Sequence, residues 1–500
     1  MTRRQASAAL IGLTVKAERR LAGGFADRLH ETGHRLRDGT GLATPARVVK
    51  TPLLIVGAGM AGLSAAWWLD RHGMRDYLML DAESSGGGNS RWGESPSGPC
   101  PWAAHYVPVP ARGATLVRSL FEELGVLRGA EFEERFLCHS PQERLFLHGR
   151  WQDGLEPELG ASKTDHAEYR RFQQSLDEFA ASGEFRIPLA SGARRRRDLD
   201  GLTFTAWLDR EGFRSPYLHW YADYACRDDY GMRAADTSAW AGIHYFAARR
   251  ENDEKGPITW PEGNGWIARR LLDRVGPGRL RTGEFVSQIV RSAKRWRVVA
   301  STAVYDAAAV IFAAPSYVLP YLLPGEPGVA ALPRRSYAPW LTANLWLDRW
   351  PAERGLPVAW DNVLYRSPAL GYVVSTHQNL RQHQERSVWT YYWALADQSP
   401  AKARQALLDR SWQSWSEAIL GDLSQAHPDI RECVSRIDVM RFGHAMARPT
   451  PGFLSQTSPR SPWPGLFLAN SDQSGLSIFE EAQYQGVEAA RGYLQRTGKV

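Results

Sequence analysis

Residues 51–73, TPLLIVGAGMAGLSAAWWLDRHG, constrain this chain more than any other stretch. Leu53–Val56 read as a short buried strand, and Gly57-x-Gly59-x-x-Gly62 turns straight into a helical pattern. Each glycine has a separate physical task. Gly57 permits the tight turn, Gly59 lets the backbone approach a pyrophosphate, and Gly62 lets helix and strand pack closely. The helix N-terminus then presents free N–H donors and a positive dipole to phosphate groups. A second strand, Tyr77–Leu80, ends in Asp81, nineteen residues after Gly62, where a carboxylate accepts hydrogen bonds from ribose hydroxyls. This is the sequence pattern of a dinucleotide-binding β-α-β unit, so the fold class is α/β.

The rest of the composition narrows the alternatives. Five hundred residues exceed one ordinary domain, and 43% hydrophobic with 11% aromatic residues suffices for large cores. The net charge of +7 rests on 54 arginines against seven lysines, with no basic helix carrying interleaved aromatics, so nucleic acid is not an expected partner. Four scattered cysteines, at 100, 138, 226 and 433, form no CxxC pair, which argues against a zinc site or redox dithiol, and no metal is expected. No apolar run reaches the roughly 18 residues that would suggest a transmembrane helix. A second GxGxxG after a strand is absent, so a separate NAD(P)H-binding domain is not supported.

Asp81 opens DAESSGGGNSRWG, which resembles the second glycine motif of the FAD-dependent amine oxidase and phytoene desaturase-like superfamily. Gly87 and Gly88 stand at the family's Gly-Gly pair, while Asn89 occupies the place where the family usually has arginine, with Arg91 two residues on. RTGEFVSQIVRSAKRWRVVA followed by DAAAVIFAAP is similar to the family's returning strands, which implies a main-chain contact to adenine near Val286. PGLFLANSDQSGLSIFEEAQYQGVEAA resembles its closing flavin motif. There the resemblance assigns Asp472 to the ribityl or phosphate portion of FAD. Glu480–Gly486, including Ala482 and with Glu481 replacing a glycine, open a final helix against the isoalloxazine. No cysteine lies near Tyr484, so the FAD is expected to be non-covalent. The resemblance implies a Rossmann-type FAD-binding domain built from 51–115, 256–325 and 446–500, with an inserted α+β substrate domain from 116–255 and 326–445.

The same resemblance nominates residues around the flavin. PWAAHYVPVP brings Trp102, His105 and Tyr106; ITWPEGNGW brings Trp260, Glu262, Asn264 and Trp266; RFGHAMARPTPG brings Arg441 and His444. His105, Trp260, Asn264 and His444 are the candidate catalytic set, although most of the 20 tryptophans are expected to be core. The cluster Arg227, Asp228 and Asp229 suits either a cationic substrate or a local ion network, and the Arg194–Arg197 run suits a solvated loop. Amine oxidases usually deliver a lysine from the strand matching SYAPWLTANLWLDRW to hold water against flavin N5. Here no lysine occurs between Lys294 and Lys402, and Thr342 or Asn344 takes the neighbourhood. The expected reaction passes hydride from a C–H bond of a small amine-like or apolar substrate to the flavin, with oxygen or a quinone as acceptor. Desaturation or isomerisation of an apolar substrate, and a partner subunit with structural FAD, are the alternatives.

Residues 1–50 read as an arm and linker. Their start, MTRRQASAALIGLTV, resembles a twin-arginine export signal through Arg3 and Arg4, which implies a periplasmic location; a cytoplasmic protein with an N-terminal arm is the alternative.

Overall fold

The computed structural model describes residues 21–27, 29–39, 43–192, 197–251, 256–379, 384–456 and 462–498. Arg3, Arg4 and Arg194 to Arg196 lie outside them, while Arg197 starts a short helix, Arg197–Asp200.

Two sheets organise the chain. In the first, Val48–Val56 lies parallel between Leu78–Leu80 and Val304–Phe312, and Leu280–Arg281 adds a parallel strand outside Leu78–Leu80. The far edge of Val304–Phe312 is shared: its first half pairs antiparallel with Arg295–Val299, its last three residues parallel with Leu466–Leu468. Gln288–Ser292 completes the meander. Leu53 to Val56 are at most 5% exposed, as a strand covered on both faces must be. The fingerprint strand starts at Val48 rather than Leu53, because its N-terminal half pairs with Val304–Ala307.

The second sheet has eight strands, in the order Ala22–Phe25, Val434–Ala447, Tyr337–Leu347, Ser387–Ala394, Gly371–Val374, Asp361–Leu364, Glu143–Leu147 and Arg150–Asp153. The region read as a linker thus supplies structure. Ala22–Phe25 pairs parallel with Arg436–Val439, and Asp27 then clamps Arg441 with a contact of 2.9 Å.

Helices within 163–192 and 197–247 form a helical wall around an aromatic core of their own. Its longest helix, Lys163–Ala181, begins with a reciprocal Ser162–Asp165 capping box. Pro216–Tyr230 is capped by Ser215, carries proline in its first turn and stops at Gly231 in the left-handed region. The closing helix, Phe479–Arg496, lies on the fingerprint helix, Met60–Arg71. A Cβ on Gly486 would fall 2.1 Å from the Ala61 carbonyl oxygen, so this closeness requires glycine.

Candidate active site

Two glycine loops form a slot. The Gly57 amide, at φ +105°, donates to the Leu80 carbonyl at 2.8 Å, and a Cβ on Gly62 would strike the Gly57 carbonyl oxygen at 1.9 Å. Gly59 differs, since its Cβ would meet nothing nearer than the Gly88 Cα at 3.7 Å. The Gly87 amide donates to the Ala58 carbonyl at 2.8 Å, so the two loops face each other beside the N-terminus of Met60–Arg71. Space without side chains, next to unpaired helix amides, fits a diphosphate.

The remaining cofactor candidates continue that line. Asp81 is buried, and its carboxylate accepts the Ala58 amide at 2.8 Å and the Glu83 amide at 2.9 Å. Burial pushes its pKa up despite those bonds. A carboxylate has about four acceptor positions, so ribose hydroxyls can still be received. The Asp81 carbonyl accepts the Glu284 amide at 2.8 Å, which brings the loop carrying Val286 to the same end. Asp472 accepts the Ser316 amide at 2.8 Å and the Tyr337 hydroxyl at 2.7 Å, and burial raises its pKa too. Glu480 and Ala482 begin the closing helix, and burial takes the Glu480 carboxyl up to about 7. Glu481, at a position where the family has glycine, accepts the Leu189 amide and fastens this helix to the helical wall.

Asn89 joins the parts. Its Nδ2 donates to the Ala445 carbonyl at 3.0 Å, and its own carbonyl accepts the Ala104 amide at 3.0 Å. His105 follows Ala104. The Asn264 amide donates to the Ala104 carbonyl at 3.0 Å, and its Nδ2 to the Tyr106 carbonyl at 3.1 Å. His105 and Asn264 are therefore brought together. Asn264 is 1% exposed and its Oδ1 has no protein partner, leaving an acceptor for a bound molecule. His105 sits 4.6 Å from the Tyr392 ring and 5.6 Å from Trp360, and burial holds its imidazole neutral, down to about 4.

The other candidates are placed differently. Trp260 stacks on Trp266 at 4.8 Å, with Phe121 and Phe136 against it, inside the core of the first sheet. Glu262 pairs with Arg269, and Arg441 is taken by Asp27 and the Leu407 carbonyl. His444 is exposed and stacks on Tyr317 at 4.3 Å, next to Ala445 rather than beside His105. Thr342 donates to the Trp102 carbonyl at 2.6 Å. Asn344 donates to the Pro101 carbonyl at 3.2 Å and accepts from Thr390 at 2.7 Å. Both spend hydrogen-bonding capacity on the protein, so neither is a ready substitute for the absent lysine.

The Arg227–Asp229 cluster divides. Arg227 pairs with Asp223 at 3.3 Å, and Asp229 with Arg249 at 2.6 Å, as an ion network would. Asp228 has no salt-bridge partner among the described residues; it takes a hydrogen bond from Tyr106, feels the Arg249 charge at longer range, and faces Asp361 and Glu143. Burial, then the Asp229 charge, lifts the Asp228 carboxyl to about 7, and burial and Glu143 lift Asp361 well above the carboxylate range. Asp361 and Glu143 escape sequence reasoning, since they lie on strands far apart in the chain and meet only because those strands pair. The Tyr224 hydroxyl points to Asp361 at 3.5 Å, and the Tyr224 ring belongs to an aromatic row in which Trp220 lies 5.7 Å from Tyr224 and 4.9 Å from Tyr365. Among the described residues, no three His, Cys, Asp or Glu side chains form a group able to hold a metal ion.

Residues 60–493 match the family described as flavin containing amine oxidoreductase, and the chain belongs to that family. It is an FAD-dependent oxidoreductase. A search of curated proteins finds no match. A solved putrescine oxidase bound to putrescine is similar at 17% identity and a TM-score of 0.67, covering 90% of this chain and 100% of that one. Cyclohexylamine oxidase from Brevibacterium oxydans IH-35A gives 16% and 0.67, over 90% and 99%. A CLA-producing fatty acid isomerase from P. acnes gives 14% and 0.63, over 89% and 98%. At such identities the likeness is one of fold. No helix among the described residues is long and apolar enough to cross a membrane.

Proposed function

We propose that the protein oxidises a small amine, with Asp228 and Asp361 receiving its cationic group and the C–H bond beside nitrogen giving up hydride. The observation that carries this reading is the pair Asp228 and Asp361, half-buried carboxyls without salt-bridge partners among the described residues, with the hydroxyls of Tyr106 and Tyr224 directed at them. Burial and mutual repulsion hold both carboxyls above the usual range, with Arg249 the one cation that acts against this at Asp228, so an ammonium entering the site favours their ionised forms, and aromatic faces add to its attraction. A polyene offers these carboxyls no cation. Two similar folds also bear names of amine oxidases.

Bound FAD supplies the hydride acceptor at N5. The chain does the rest. His105, Tyr106, Trp360 and Tyr392 enclose the substrate and exclude water. Asp228, with its carboxyl near 7, takes the ammonium proton on a carboxylate oxygen and leaves the nitrogen lone pair free to assist C–H cleavage. With no lysine between Lys294 and Lys402, a quinone-type acceptor is favoured over oxygen. Periplasmic export through Arg3 and Arg4 remains part of the proposal.

The test is anaerobic flavin reduction against a panel of amines, amino acids and polyenes. Bleaching of the flavin by amines is the expected result; bleaching by polyenes alone would overturn the proposal.

A further inference from the structure

Arg144, in strand Glu143–Leu147, is 2% exposed, and among the described residues no carboxylate forms a salt bridge with it. Its fork is divided among three neutral oxygens. Nε donates to Asn362 Oδ1 at 2.6 Å, Nη1 to the Leu356 carbonyl at 2.8 Å and Nη2 to the Tyr372 hydroxyl at 3.1 Å, while the Trp151 ring covers the guanidinium at 3.7 Å. Holding a desolvated cation without a counter-charge is costly, so its presence calls for a reason. We propose that Arg144 is a positioning residue for the acid pair: it rivets three strands in the register that sets Asp361 against Glu143 on the opposite face of the sheet. The proposal rests on the reading of Asp228 and Asp361 as the carboxyls that receive an amine.

The strand register carries the argument. Arg144 stands opposite Asn362 and Asn362 opposite Tyr372, while one residue earlier Glu143 stands opposite Asp361. Side chains alternate between the faces of a strand, so Arg144, Asn362 and Tyr372 share one face and Glu143 and Asp361 the other. A slip by one residue would exchange the two sets. The local ladder is short. Strands Asp361–Leu364 and Gly371–Val374 have four residues each, and Arg144 and Asn362 lie 218 positions apart in the chain, so no tight turn fixes their parallel pairing. Asn362, fully buried, extends the rivet, since its Nδ2 donates to the Ala359 carbonyl at 2.8 Å and the Tyr372 carbonyl at 3.3 Å. The Tyr372 hydroxyl in turn donates to His427 Nε2 at 2.6 Å. Burial, then the Arg144 charge, lowers the His427 pKa to about 3, which keeps that acceptor neutral.

On the acid face, Asp361 meets Glu143 from the partner strand and Asp228 and the Tyr224 hydroxyl from helix Pro216–Tyr230, and its charge is felt by the Tyr106 and Tyr392 hydroxyls and the Cys138 thiol. Burial first, then Glu143 and Asp228, hold its carboxyl above the usual range. That elevation reports on the register: losing the alignment takes Glu143 away and lets Asp361 ionise more readily.

The test reads the carboxyl without any substrate. Urea midpoints of the FAD-loaded protein are measured from about pH 5 to about pH 8 for the wild type, Asp361→Asn, Arg144→Lys and the double variant. Because the folded-state value of Asp361 is raised, its contribution to stability is present at low pH and lost as pH rises, so Asp361→Asn should raise the midpoint progressively with pH. In the Arg144→Lys background that gain should fall by about half or more, since lysine keeps the charge but lacks the planar fork. An undiminished gain would overturn the proposal. So would a lower midpoint at every pH with the gain intact, which is the pattern of a packing defect. Should Arg144→Lys not accumulate, Tyr372→Phe removes one arm of the rivet and the same comparison decides. Anaerobic flavin reduction by an amine gives the second readout. Arg144→Lys should weaken the apparent Kd about tenfold, with a smaller change in the limiting reduction rate, and the effect should vanish in the Asp361→Asn background. Where amines reduce the wild type, an unchanged Kd in Arg144→Lys overturns the proposal. If amines leave the wild-type flavin oxidised while the pH-dependent gain is lost in Arg144→Lys, the substrate reading falls and the positioning of Asp361 stands.

Discussion

Replacing Asp228 with asparagine removes one carboxyl from the half-buried pair and should move stability and substrate binding in opposite directions. The Asp228 carboxyl rises from 3.8 to about 7, first through burial and then through the Asp229 charge. A rise of about three units corresponds to up to ~4 kcal/mol at full ionisation. Because the folded-state value is the higher one, the stability associated with this group is complete below pH 4 and is lost as pH rises through 7. The cost is about 2 kcal/mol at pH 5 and about 4 kcal/mol at pH 8. Asp228→Asn should therefore stabilise the substrate-free protein more at pH 8 than at pH 5, by about 2 kcal/mol in urea titrations. Amine affinity should fall by roughly 100-fold, near 3 kcal/mol, because the ammonium loses its half-buried partner. In the wild type the apparent Kd from anaerobic rapid-mixing flavin reduction should tighten as pH rises through 7. The variant should show a flat profile, with Kd for a neutral isostere unchanged. An unaltered pH profile in Asp228→Asn, or equal losses for the amine and its neutral isostere, would refute the reasoning.

Gly59→Leu should abolish FAD retention, seen as a colourless purified protein, because the branched chain would enter the slot whose far wall is Gly88. Peroxide production with an amine should be slow and turnover with an artificial quinone faster, as Thr342 and Asn344 are engaged with Trp102 and Pro101; rapid stoichiometric peroxide would show another water-holding device. Cell fractionation of the full chain and an Arg3→Lys, Arg4→Lys variant should find the first in the periplasm and the second in the cytoplasm. Cytoplasmic residence of both would make residues 1–20 an ordinary arm.

Much of the cofactor-binding half was legible because its signals are local. The Gly57, Gly59 and Gly62 pattern, the acid at Asp81 and the pair Gly87–Gly88 each reflect a backbone need that neighbouring residues reveal, and the structure sets them around one slot. In helix 216–230 only the cluster Arg227, Asp228 and Asp229 was legible, as charges without partners; that Tyr217, Trp220, Tyr221, Tyr224 and Asp228 share a face emerges with the helix itself. What spacing could not show is which neighbours neutralise each acid. Asp229 and Asp228 are adjacent in the chain, yet the turn of the helix gives one to Arg249 and the other to Tyr106 and Asp361. Trp260 shows the converse. Its place beside a glycine-rich turn suggested the flavin, but the turn delivers Asn264 to the His105 segment while the indole goes into the aromatic core. Ala22–Phe25 was unreadable for a related reason: two glycines and two apolar residues carry little strand preference, and only the exposed edge of Val434–Ala447 draws them into the sheet. Side chains that answer a backbone requirement declare themselves locally. Those whose partners arrive through long-range strand pairing acquire their role only when the sheet assembles.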